Sequence, residues 1–163
     1  MAIHKLELGE FDEIDYHLIA IHTSLEDYRL AYFINQKLPI NLGKNSNEIQ
    51  INIKEGETKF SRFYYFDKEK GISWNLIQNK NEVIQHKNDK RQNNLFSNIS
   101  LEVATKVYLL PEFKKVDYFL KIENLEDELN VKDIQVLLNT IDGISTAYRV
   151  ETNKIKSKNN LIF

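Results

Sequence analysis

The sequence predicts an α+β domain, with a mainly antiparallel sheet carrying two helices on one face. Three observations lead there. Two segments repeat apolar residues at helical spacing, strand-like runs flank each of them, and the middle of the chain alternates with period two. Two β-α-β units with a β-meander inserted between them supply the elements of a ferredoxin-like sheet. At 163 residues the chain fits a single domain, 1–163. A domain of that size hides about 70% of its unfolded surface and needs no staples.

The elements follow in chain order. Residues 15–23 are a short aliphatic run and read as a strand. Ser24 is suited to cap a helix, with Asp27 at the capping-box position. Leu30, Ala31, Ile34 and Leu38 then mark a buried helical stripe, and Pro39 stops it. After a loop at 40–47, Ile49, Ile51 and Ile53 alternate with polar residues. With the aromatic stretch 58–66 and the alternation of Ile72, Trp74 and Leu76, they predict a three-stranded meander over 48–78.

Residues 79–94 carry almost no apolar period, so a mobile surface loop is expected near 79–95. The segment 99–110 reads equally as strand or helix until Pro111 ends it. Val116, Tyr118, Leu120 and Ile122 form the next alternating strand. Asn130 then caps a helix bearing Ile134, Leu137, Leu138 and Ile141, which Gly143 terminates. Residues 144–150 form the last strand, and a loose basic tail is expected near 153–163. One short echo accompanies the repeated unit: residues 14–18, Ile-Asp-Tyr-His-Leu, resemble residues 116–120, Val-Asp-Tyr-Phe-Leu.

The absence of cysteine removes disulfides, thiolate catalysis and iron–sulfur chemistry. No run approaches the ~18 apolar residues of a membrane span, and Met1 to Glu10 lacks the pattern of a signal peptide. A cytoplasmic protein with no membrane partner is the expectation. The net charge of −2 gives the molecule no general attraction for nucleic acid.

No strong catalytic constellation is present. The glycines are isolated, and no serine stands in a Gly-x-Ser-x-Gly elbow. His17 and His22 fall on opposite faces of a strand, which argues against a shared metal. No catalytic residue, metal or cofactor is therefore expected.

The segment 110–119, Leu-Pro-Glu-Phe-Lys-Lys-Val-Asp-Tyr-Phe, is the most distinctive in the chain. Pro111 breaks pairing by removing a donor, and Tyr118 would pack its ring inward. The segment resembles the signature of the IPExxxVDY family, small proteins of Bacteroidota bacteria. Pro111, Glu112, Val116, Asp117 and Tyr118 match that signature, and Leu110 replaces its isoleucine. The resemblance implies a bacterial cytoplasmic protein and assigns no activity.

Three functions are open at this level. The leading one is a small non-enzymatic protein-interaction module, working through a sheet face or a site around Glu112, Asp117 and Tyr118, with another protein or a second copy as partner. The second is RNA binding, with Phe63 and Tyr65 stacking bases beside Arg62, helped by Lys87, Lys90 and Arg91. The third is a small-ligand binder or enzyme built on Asp15, Asp117, Glu112 or a histidine. It requires a concave pocket with convergent carboxylates.

Overall fold

The computed structural model describes residues 16–87, 101–126 and 128–163. Among the described residues, ten strands and two α-helices follow one another. They are β1 (Tyr16–Thr23), α1 (Asp27–Lys37), β2 (Gly43–Lys44), β3 (Ile49–Ile53), β4 (Gly56–Phe60), β5 (Arg62–Asp67), β6 (Ile72–Gln78), β7 (Lys80–Lys87), β8 (Leu101–Tyr108), β9 (Tyr118–Glu123), α2 (Glu128–Asn139) and β10 (Ile144–Arg149). Six strands form one sheet in the order β10-β1-β9-β6-β5-β2, with every pair antiparallel. The class is α+β. Within the sheet, β10-β1-β9-β6 and the two helices reproduce the split β-α-β arrangement that the doubled unit predicts.

Strand alternation divides the core in two. Ile19, Ile21, Leu76, Tyr118, Leu120 and Ile122 face α1 and α2, where they meet Leu30, Ile34, Val131, Ile134 and Leu138. Leu18, Ala20, Ile77 and Phe119 face the other way, onto Phe60, Leu109, Leu110, Val116, Ile155 and Leu161. Both helices therefore share one face, and the second face is covered as well.

Several local readings need correction. The aromatic strand is cut at Ser61, so β3 and β4 form a separate hairpin and only β5 and β6 join the main sheet. Residues 80–87 are a strand rather than a loop. β7 pairs along its whole length with β8, which also settles 101–108 as strand. A period of two is hidden there because the less exposed side carries Asn81 and Gln85 beside Val83, while Ile84 stands on the exposed side. The tail is not loose: Ile155 and Leu161 are buried on the second face. Asn130 lies inside α2, which starts at Glu128.

The five-residue echo does not survive either. Tyr16 packs on the second face and Tyr118 on the helix face, so the two tyrosines are not equivalent. A different repeat is real. Asn35 near the end of α1 accepts from the Leu42 N–H at 2.7 Å and donates to its carbonyl at 3.0 Å. Asn139 at the end of α2 makes the same two bonds with Ala147, at 2.9 and 2.8 Å. Asp15, Lys90, Arg91 and the side chain of Lys87 lie outside the described residues.

Candidate functional site

The Pro111–Tyr118 segment is a corner that turns the chain from β8 into β9. Pro111 opens a single 3-10 turn, Pro111–Phe113, and Val116 is buried behind it. The organiser of the corner is Asn79, in the bend between β6 and β7. It is completely buried, and its amide donates to the carbonyls of Phe113 (2.9 Å) and Val116 (2.8 Å). Its side-chain oxygen accepts from the Leu110 N–H at 2.9 Å. Its backbone receives Leu109 N–H and donates to the Asp117 carbonyl. One side chain thus answers three buried backbone groups that would otherwise be unpaired. Nothing in the sequence singles out Asn79 among the many asparagines.

The predicted carboxylates are in place, and the fold uses both. Glu112 Oε1 accepts from the N–H groups of Lys156 (2.7 Å) and Ser157 (2.8 Å), and Oε2 from the Ser157 hydroxyl (3.0 Å). Burial pushes its pKa upward, but the donors at Ser157 and Lys156 outweigh burial and hold the carboxyl below its ordinary value. Glu112 is therefore the anchor of the tail. Asp117 Oδ2 accepts from Thr23 N–H at 2.9 Å, and Oδ1 meets Lys80 Nζ at 2.8 Å. Tyr118 donates its hydroxyl to the Leu25 carbonyl at 3.0 Å. Burial, then the charges of Asp27, Asp117 and Glu26, push this phenol up to about 12.

The turn into α1 corrects another expectation. Ser24 is exposed, and the cap position, Glu26, makes no side-chain capping bond. Thr23 does the local work instead: its hydroxyl donates to the Gly143 carbonyl (2.6 Å) and accepts from Leu25 N–H (3.0 Å). Gly143 itself has φ +92°, and a Cβ there would lie 3.0 Å from Leu25, so this position requires glycine.

Two concavities flank the corner. The smaller, about 250 Å³, is lined by residues 23–26, Gln78, Lys80, Asp117 and Tyr118. It gathers the predicted Asp117 and Tyr118, but Asp117 is already paired and Tyr118 is tuned away from proton transfer near neutrality. The larger, about 380 Å³, is lined by residues 111–116 and Tyr148. Its apolar lining is Pro111, Phe113, Val116 and Tyr148, and Lys114 and Lys115 are exposed beside it. Tyr148 is held there by stacking on His22 at 5.6 Å.

The aromatic strand offers no base-stacking platform at its predicted residues. Phe63 is buried against the helices, and Tyr65 packs on the same core. Arg62 Nε donates to the Asn75 side-chain oxygen Oδ1 at 2.8 Å, and the guanidinium lies over the rings of Tyr64 and Phe163. Burial of Phe63 and Tyr65 follows from strand parity: both point to the helix side of β5.

Among the described residues no cluster of three or more acidic or histidine side chains could hold a metal ion. No helix among them is long and apolar enough to cross a membrane. No family model, curated protein or solved structure matches the chain.

Proposed function

We propose that this chain is a small, non-enzymatic protein-interaction module, and that its docking site is the groove at the Pro111–Val116 corner. The occupant is a short acidic segment of another protein, carrying one apolar anchor residue. The observation that supports this is the combination in one concavity of an apolar lining with two exposed lysines, Lys114 and Lys115. Glu112 shares the groove, but its oxygens are engaged with the tail. A volume near 380 Å³ falls within the ordinary range of ligand sites. A non-catalytic role accords with Glu112, Asp117 and Tyr118 being committed to holding the fold. The resemblance to the IPExxxVDY family, and the bacterial cytoplasmic setting it implies, belong to the same proposal.

The test is selection from a displayed random-peptide library, followed by binding of the returned peptides in solution. Peptides that pair acidic residues with an aromatic or aliphatic one are expected. Their affinity should fall about tenfold in the double variant Lys114→Glu/Lys115→Glu and weaken with salt. Peptides without acidic residues, or binding indifferent to that variant, would refute the groove.

A further inference from the structure

Sheet edges expose rows of unpaired N–H and C=O groups, which invite another strand. At each edge of the main sheet a side chain satisfies one outward backbone pair. In β10, Val150 N–H donates to Leu18 O, so alternation turns the backbone of Ala147 outward, away from β1. That outward pair is the one Asn139 satisfies. At the other edge, Asn45 N–H donates to Arg62 O, and the same alternation turns Leu42 outward, where Asn35 satisfies it.

The ribbon of β7 and β8 is different. β7 is turned toward the β3–β4 hairpin, with Asn81 donating to the Lys59 carbonyl and Gln85 to the Glu55 carbonyl. On β8, Leu109 N–H donates to Asn79 O, which makes 79 and 109 a bonded pair in the register of the ribbon. The backbone groups of Glu102, Ala104 and Lys106 consequently point away from β7. Among the described residues no hydrogen bond reaches them.

The side chains on this edge are self-complementary. An antiparallel pairing of β8 with a second β8, centred on Ala104, sets Glu102 opposite Lys106 of the second copy and Lys106 opposite its Glu102. On the other side of the ribbon, Val103 meets Thr105, a β-branched pair suited to strands. The rows continue into β7, where Glu82 stands opposite Lys106 and His86 opposite Glu102, so charge alternates in sign from Glu82 through Lys106 to Glu102 of the second copy. Between these rows, Ile84, 60% exposed, stands beside Ala104 and extends an apolar stripe through the two-fold axis.

We infer that the chain forms a two-fold homodimer by antiparallel pairing of β8 with β8 of a second copy, joining two ribbons into a four-stranded sheet. The interface is isologous, as a two-fold contact must be. Asn35 and Asn139 each occupy an outward backbone pair at an edge of the main sheet, whereas β8 has no such cover among the described residues.

Sedimentation over a concentration series tests it. Wild type should show a monomer–dimer equilibrium. Lys106→Glu and Glu102→Lys, each alone, should weaken the dimer about tenfold, because each places like charges opposite one another twice. An equimolar mixture of the two variants should restore it as a heterodimer, since both pairs across the interface again join opposite charges. Ala104→Pro removes only an outward N–H, leaves the ribbon bonded, and should abolish the dimer. A wild type that stays monomeric throughout would overturn the inference. So would a dimer unaffected by Lys106→Glu and Ala104→Pro, or single variants that do not recover on mixing.

Discussion

The two faces of the sheet are closed by different means. The helix face is covered by α1 and α2, whose apolar stripes come from short stretches of chain and need only local periodicity. The other face is covered by pieces far apart in sequence: the corner at 109–116, Phe60, and the tail carrying Ile155 and Leu161. Such pieces have no repeating pattern to align them, and polar side chains do that work. Asn79 fixes the corner, Glu112 fixes residues 156 and 157, and Lys121 fixes Leu161. Lys121 is only 5% exposed, and its ammonium also meets Glu123 at 2.8 Å and lies near the rings of Tyr16 and Phe163. Helical cover is thus specified by apolar spacing, and irregular cover by directional bonds.

The most severe test of this contrast sets one residue from each face against the other. Leu30→Ala on the helix face should cost about 3 kcal/mol through lost burial and a cavity. Asn79→Leu keeps the branched shape of the side chain but strands the Leu110 N–H and the Phe113 and Val116 carbonyls, and should also cost about 3 kcal/mol. Chemical denaturation measures both. A cost under about 1 kcal/mol for Asn79→Leu would mean that apolar packing alone holds the second face.

Tyr118 links the corner to the helix face, and its effect depends on pH. An unfolded tyrosine loses its proton near 10, whereas Tyr118 keeps its own up to about 12. The raised value means that its contribution is complete below pH 10 and is lost as pH rises toward 12. The loss across that window is at most roughly 2–3 kcal/mol. Tyr118→Phe should show a shallower decline of stability there than wild type. Equal slopes would show that the phenol is not held by the Leu25 carbonyl.

The smallest effect is confined to the tail. Glu112→Ala should speed hydrogen exchange at the Lys156 and Ser157 amides about tenfold while leaving β1 amides unchanged. Because the Glu112 carboxyl is held low, its contribution is present above the ordinary carboxylate value and disappears as pH falls through the folded value. The same two amides should therefore lose protection in acid in wild type alone. Exchange that spreads into β1 would show the tail and the sheet to be one cooperative unit.

The legible part of the fold matches the first kind of cover. Ile34 and Leu138 announce their helices by spacing, and the strand-helix-strand order gives the sheet. The corner motif was legible as a sequence feature, with Glu112, Asp117 and Tyr118 all at its heart. Its purpose was not, because Lys156, Thr23 and Leu25, the partners of those residues, are distant in sequence. Asn79 left no signal at all, since a buried asparagine is distinguished only by what surrounds it. β7 is hidden because its covered side carries the polar Asn81 and Gln85 and its wet side the apolar Ile84, which breaks the alternation. Phe63 and Tyr65 looked like a binding surface because aromatic composition does not reveal which face of a strand is covered.

The corner spends its polar groups inward, on the fold, and presents a groove outward. The direct measurement is a ¹⁵N amide-shift titration of the whole chain with a peptide pairing acidic residues and one aromatic anchor. Perturbations should concentrate at residues 112–116 and Tyr148, with the amides of Arg62 to Phe66 unmoved. Shifts centred on 62–66, or spread evenly over the surface, would contradict it.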